Sequence, residues 1–313
     1  VMLRIAAGVF VLSWLALLGS TEARGDEFED EQARTIEALH AFGVRGLPSA
    51  YAASSDGSAR TQAIQDGLAW LAAHQTPDGS WNPSELAWCN GKLEKLGAPT
   101  GKGKKIHATG VTGMVVTAFL GAGYTHRGKH PFAKTVRTAL TWLVEHQDDQ
   151  GCVGARASKE YIYGHAFGTL ALVEAYALTG DPKLRGPAQK AIDFSALARN
   201  PYLTWRYGIK PGDNDTSITG CMGLPLYVAL RLNRAGERAH VFEPLGLDDT
   251  VFDGIRNWLD RVVHEETGRA GYVGRGTGSA RPMEHLDTFP GEKTAAVTAI
   301  TVFLRLVLSL IHI

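Results

Sequence analysis

Residues 67–81 read Gly67-Leu68-Ala69-Trp70-Leu71-Ala72-Ala73-His74-Gln75-Thr76-Pro77-Asp78-Gly79-Ser80-Trp81. Trp70-Leu71, Gln75 and Gly79 return as Trp142-Leu143, Gln147 and Gly151, each displaced by 72 residues (142 − 70, 147 − 75, 151 − 79). Three coincident offsets mark an internal repeat, and a repeat decides the architecture before any single motif does. A looser third copy sets Phe194 at the Trp70 position, and Trp205 follows it by 11 residues as Trp81 follows Trp70. A fourth is centred on Trp258-Leu259, with Gly271-Tyr272 beyond it.

Each copy carries an amphipathic helical stretch: 62–75, 132–147, 187–199 and 251–264. In the second, Val136, Leu140, Leu143 and Val144 recur at helical spacing while Lys134, Arg137 and Glu145 fall elsewhere. Pro187 suits a first helical position, and Gly79 and Gly151 suit helix stops. Between these stretches lie four of another kind, 109–120, 165–178, 216–232 and 293–306, apolar on nearly every side and rich in Gly, Ala and Thr. A helix hydrophobic all round is buried all round. Small residues such as Gly110, Gly113, Gly168 and Gly220 let such helices approach closely. Strand patterns with Asn-Gly or Asp-Gly turns are nearly absent. The expected fold is all-α, with an outer layer of amphipathic helices around an inner, buried one.

Residues 67–75 followed by Asp78-Gly79-Ser80-Trp81 resemble the glutamine–tryptophan repeat of the squalene–hopene cyclase and prenyltransferase superfamily. Residues 205–220, from Trp205-Arg206-Tyr207 through Asp213-Asn214-Asp215-Thr216-Ser217 to Gly220, resemble a segment of exported bacterial proteins carrying such repeats. The likeness spans about residues 60–307 and implies an α/α toroid, helical hairpins in a ring around a central cavity. It also implies joints in which Gln and Trp bond and stack between neighbouring hairpins. Val153 in the Trp position and Arg199 in the Gln position should weaken two of those joints. Toroids of this family take about six hairpins, whereas four are counted here, and terminal repeats are normally atypical because they face water. The apolar end, 303–313, is therefore expected to be an incomplete C-terminus, prone to instability or association.

The chain has 313 residues, with 32 Lys+Arg against 32 Asp+Glu. Zero net charge argues against a nucleic-acid binder working by bulk phosphate attraction. Residues 1–23 read as a signal peptide: Arg4 at the start, a 14-residue apolar-rich stretch at 5–18, then Thr21-Glu22-Ala23. Fourteen helical residues cover about 21 Å, short of a bilayer core of roughly 30 Å. The expected address is extracytoplasmic, with an uncleaved anchor as the alternative. Residues 24–60 form an acidic lead-in and linker, and 61–313 the repeat domain. Export leaves Cys89, Cys152 and Cys221 either as one disulfide and a thiol or as buried thiols.

If the inner helices run one way, their N-termini share a mouth, which gathers His107, Tyr163, His165, Asp213, Asp215 and Glu292 at one rim. A polar rim over an apolar cavity has the general form of a ligand site, while helix capping accounts for Asp215 and Glu292 equally. Trp205 and Tyr207, with Trp88, Cys89, Tyr272 and Arg275, fall in loops after outer helices, to line the cavity or to pack between repeats. Squalene–hopene cyclases protonate an alkene with an Asp of an Asp-x-Asp-Asp-Thr-Ala motif. Matching Asp215-Thr216-Ser217 to its end makes Asp213 and Asp215 the catalytic candidates but puts Asn214, which cannot donate that proton, at the donor position.

No cofactor or metal is expected. Prenyltransferases on this fold bind zinc through Asp-x-Cys, which does not occur, and His126 and His130 lack the Glu of a zinc-protease helix. Residues 97–103 lack the spacing of a phosphate loop. The leading expectation is an isoprenoid-like apolar ligand in the central cavity. The alternatives are a protein-interaction scaffold and a cyclase acting by alkene protonation.

Overall fold

The computed structural model describes residues 57–85, 103–239, 243–278 and 295–310. Among them eight α-helices follow one another: α1 (Gly57–Ala73), α2 (Ala108–Gly121), α3 (Ala133–Glu145), α4 (Tyr161–Thr179), α5 (Pro182–Ala198), α6 (Thr216–Ala239), α7 (Thr250–Val262) and α8 (Ala295–Leu310). No strand forms among the described residues; two isolated bridges, Gln147 with Val153 and Val263 with Ala270, close loops after α3 and α7. The fold is all-α. The signal-peptide segment, the acidic run, Trp88, Cys89, residues 97–102, Glu292 and the last three residues lie outside the described residues. Residues 57–60, expected as linker, already belong to α1.

The even-numbered helices make the inner row, with α2 beside α4, α4 beside α6 and α6 beside α8; α3, α5 and α7 each sit behind two of them. Side-chain size explains the row. A Cβ at Gly113 would fall 2.5 Å from the Phe167 carbonyl oxygen, one at Gly168 2.6 Å from Val153 Cγ1, and one at Gly220 2.5 Å from Ile300 Cγ2. Gly110 stacks over Gly164 as Gly113 does over Phe167, and Gly220 and Gly223 stand beside Ile300 and Leu304. Rising numbers face rising numbers, so α2 runs parallel to α4 and α6 to α8. The inner helices are buried on most sides, as their composition requires: Val116, Phe119, Leu120, Ala171, Leu172, Ile218 and Met222 are sealed from solvent. Val136, Leu140 and Leu143 bury one stripe of outer helix α3 while Lys134, Arg137 and Glu145 face water.

The repeat residues are the joints between hairpins. Gln75 Nε2 donates to the Gly79 carbonyl at 2.8 Å and to Thr135 O on the next outer helix at 2.9 Å. Gln147 repeats this with Gly151 O (3.1 Å) and Pro187 O (3.0 Å). Arg199 makes the same pair of contacts, Nη1 reaching Leu203 O and Thr250 O at 3.4 Å, and adds an ion pair to Asp248. The guanidinium therefore does the work of the amide, and the expected weakening at Arg199 gives way to a joint with an extra charge contact. Val153 is equally well seated, buried over Gly168, where the missing Cβ makes room for it.

Two further expectations are corrected. Helix α5 begins at Pro182, capped by Asp181, which accepts from Lys183 N at 3.1 Å; Pro187 lies inside the helix. Gly79 and Gly151 sit six residues past their helices, at φ +96° and +93°, where a Cβ would meet Thr138 O at 2.7 Å and Lys190 O at 2.0 Å. They are turn positions pressed against the next outer helix. The left-handed helix stop falls at Gly180 instead.

Candidate functional site

The loop from α5 to α6 sets the site. Asn214 Oδ1 accepts from Asn200 Nδ2 (3.1 Å), Thr204 N (3.0 Å) and Thr204 Oγ1 (3.2 Å), which ties both ends of the loop together. The Trp205 indole donates to Ser195 O at 2.8 Å, and the Trp205 carbonyl accepts from Asp215 N at 2.9 Å. Asp215 is thereby fixed at the head of α6 and sealed from solvent. Its Oδ1 accepts from Ile218 N at 2.7 Å, the geometry of an N-cap, and from Ser217 Oγ at 2.9 Å.

Capping does not exhaust this carboxylate. Oδ2 accepts from the Tyr272 hydroxyl at 3.0 Å, and Tyr272 in turn meets the Tyr207 hydroxyl at 2.9 Å. On the other side Ser217 Oγ meets the Tyr163 hydroxyl at 2.5 Å. With the carboxylate ionised it can only accept, so both chains of donors converge on it: Tyr207 to Tyr272 to Oδ2, and Tyr163 to Ser217 to Oδ1. The rings of Tyr163 and Tyr207 lie side by side, 6.3 Å between centroids, and both are half-buried.

Burial pushes the Asp215 carboxyl above its ordinary range, outweighing the Ile218, Ser217 and Tyr272 hydrogen bonds that pull it down. Burial, then the Asp215 charge, pushes Tyr163 up; burial and the Tyr207 bond raise Tyr272. Both phenols stay neutral donors. Cys221, one turn beyond Ser217, is pushed up to about 12 by burial and by Asp215, so it is a thiol and not a thiolate nucleophile. Cys152 is likewise a free thiol pushed up to about 12 by burial.

The expected rim is assembled in part. Tyr163, Asp215 and Tyr207 come together, the Trp205 carbonyl holds the Asp215 N–H, and Gly110 against Gly164 sets the head of α2 beside that of α4. His107 stands exposed at the head of α2. Asp213 turns outward and pairs with Arg206, whose guanidinium lies 5.5 Å over the Tyr207 ring. It does not join Asp215.

His165 is not at the rim. It is wholly buried, Nδ1 accepting from Val153 N at 3.1 Å and Nε2 donating to Ser195 Oγ at 3.0 Å. Burial holds it neutral, its pKa lowered to about 3. Its partners show its office: in the first hairpin Trp81 N donates to Thr112 Oγ1, and in the fourth Ala270 N donates to Thr298 Oγ1. Three of the inner helices, α2, α4 and α8, thus catch the loop of their own hairpin through a side-chain acceptor, and His165 fills that role in the second hairpin.

Ser217 is the member that sequence reasoning left unassigned, and Tyr272, expected to line the cavity or to pack between repeats, is found bonded to the Asp215 carboxylate. Both stand in quoted motifs, but nothing in spacing alone brings residue 272 to residue 215. Among the described residues no three His, Cys, Asp or Glu side chains gather to hold a metal ion, and no helix is long and apolar enough to cross a membrane. A surface depression lies elsewhere, between α7 and α8, lined by Arg256, Asp260, Arg305, Leu308 and Ser309. No protein-family model, curated protein or solved structure matches the chain.

Proposed function

We propose that this chain is an exported hairpin-repeat protein of the squalene–hopene cyclase and prenyltransferase type, which holds an isoprenoid-like apolar ligand against its inner helices. The carrying observation is the cluster in which two half-buried phenols, Tyr163 and Tyr207, converge on the buried Asp215 carboxylate. Beside it, Phe167 and Cys221 are partly exposed positions of the inner row, one turn on from Tyr163 and Ser217. A polar anchor next to apolar surface suits a long greasy ligand with a small polar head. The toroid itself belongs to the same proposal.

The chemistry favours binding over cyclisation. Alkene protonation asks for an unusually strong acid, yet burial makes Asp215 a weaker one. Asn214 carries no proton to give and is occupied in the loop, and Asp213 is ion-paired with Arg206.

The test is thermal denaturation with farnesol, geranylgeraniol and hexadecane in matched detergent. Ligand at 100 times its Kd stabilises by about 2.7 kcal/mol, worth roughly 3 °C or more in Tm for a chain of this size. The proposal expects that shift with the isoprenoids and none with hexadecane. Equal curves under all three contradict it.

A further inference from the structure

The order of hydroxyl protons around Asp215 decides what the outer edge of the cluster offers a ligand. An ionised carboxylate has no proton to give, so every partner must donate to it. Ser217 commits its one hydroxyl proton to Oδ1, at 2.9 Å, and Tyr272 commits its own to Oδ2, at 3.0 Å. The next residue out must then donate inward as well: Tyr163 to Ser217 Oγ at 2.5 Å, and Tyr207 to the Tyr272 oxygen at 2.9 Å. Both chains stop there. Among the described residues neither the Tyr163 nor the Tyr207 hydroxyl meets a further hydrogen-bond partner, and both side chains are half-buried rather than sealed.

The two outermost phenols therefore have their protons turned inward and only lone pairs left over. A phenol oxygen in that state accepts and does not donate. The Arg206 guanidinium, 5.5 Å over the Tyr207 ring, is already paired with Asp213. An anionic head would thus meet two acceptor oxygens backed by a buried carboxylate, and an ether would set lone pair against lone pair. A polar group left unpaired away from water loses more than a made hydrogen bond contributes. Turning a chain round to suit an acceptor head would strip the carboxylate of a donor, with the same kind of penalty.

We infer, resting on the ligand reading of this same site, that the head group is an uncharged hydrogen-bond donor, an isoprenoid alcohol, and that a diphosphate or an ether on the same chain is rejected. Tyr163 or Tyr207 accepts the alcohol proton. Asp215 is a positioning residue: it sets the preference without touching the ligand, by fixing which way the two chains of hydroxyl protons run.

Equilibrium binding of farnesol, farnesyl methyl ether and farnesyl diphosphate to the full chain in matched detergent tests this. Farnesol should bind at least about tenfold tighter than either of the others. Asp215→Asn supplies a second readout. Its Oδ1 keeps the Ile218 N–H, and its amide donates to the Tyr272 oxygen, so Tyr272 donates to Tyr207 and Tyr207 turns its proton outward. The ratio of alcohol to ether affinity should then fall by about tenfold, an effect that the bulk of the ether methyl cannot produce. Ether or diphosphate binding within that ratio of farnesol, or tighter, overturns the inference and leaves the ligand reading standing. An unchanged alcohol-to-ether ratio in Asp215→Asn with the circular dichroism of the parent does the same. If the variant does not fold, the ranking on the parent decides alone. Failure of all three to bind removes the ligand reading and the inference with it.

Discussion

Tyr272 donates its hydroxyl to Asp215 Oδ2 across 3.0 Å, joining the loop after α7 to the head of α6, 57 residues earlier in the chain. The same carboxylate caps α6 through Ile218 N. One side chain therefore holds a helix, a loop and the phenol chain that makes up the candidate site.

Removing it should be costly. Asp215→Ala loses an N-cap, about 1 kcal/mol, and leaves buried hydroxyl donors unpaired, about 1–3 kcal/mol more. Urea unfolding should read a total loss of about 3 kcal/mol, and Asp215→Asn less than half of that. Burial raises the folded pKa of this group, so the stability it contributes is present below the ordinary carboxylate range and declines as pH rises through the folded value. The gap between parent and Asp215→Asn should accordingly shift in favour of the variant from pH 4 to pH 7. A gap independent of pH would disprove the assignment.

His165 should act in the opposite direction. Its folded pKa is lowered to about 3 against an unfolded value near 6.5, so the unfolded chain takes up a proton first as pH falls. Stability from this group is complete above pH 6.5 and drains away below it, by up to about 1.4 kcal/mol per pH unit. His165→Gln, which keeps an acceptor and a donor, should flatten that slope between pH 4 and 6. An unchanged slope would mean that another group sets it.

The two left-handed glycines at 151 and 212 make a controlled pair. Both have φ near +90°, but a Cβ at Gly151 meets Lys190 O at 2.0 Å while one at Gly212 meets nothing within 4 Å. Gly212→Ala should cost about 1 kcal/mol from backbone strain alone, and Gly151→Ala about 3 kcal/mol or more. Equal losses in calorimetry would remove the close-approach argument for the hairpin joints.

At the third joint, Arg199→Ala should cost about 2 kcal/mol, because two carbonyls and Asp248 lose a largely buried partner. Arg199→Gln restores the residue of the first two joints and should recover more than half of the loss. If glutamine fares no better than alanine, the guanidinium is not standing in for the amide.

The joints explain what was legible in the sequence. Trp70, Gln75 and Gly79 recur because each hairpin must solve the same local problem, and that recurrence exposed the helices, their order and their two layers. Pro187 misled because its ring reads as a helix start, whereas Asp181 and Pro182 cap the helix five residues earlier and leave the Pro187 carbonyl for Gln147. His165 read as a rim residue because position along a helix says nothing about direction; Val153 and Ser195 claim both its nitrogens. The link between Asp215 and Tyr272 was beyond reach, since a contact across 57 residues is written in the packing of α6 against α7 rather than in any local spacing.

The ligand claim is tested most directly by photo-crosslinking with a farnesol analogue bearing a diazirine on its chain, followed by peptide mapping. Adducts concentrated around Phe167 and Cys221, displaced by unlabelled farnesol and weakened by Tyr163→Phe, are the predicted result. Labelling spread over the outer helices, or untouched by competitor, would contradict the account.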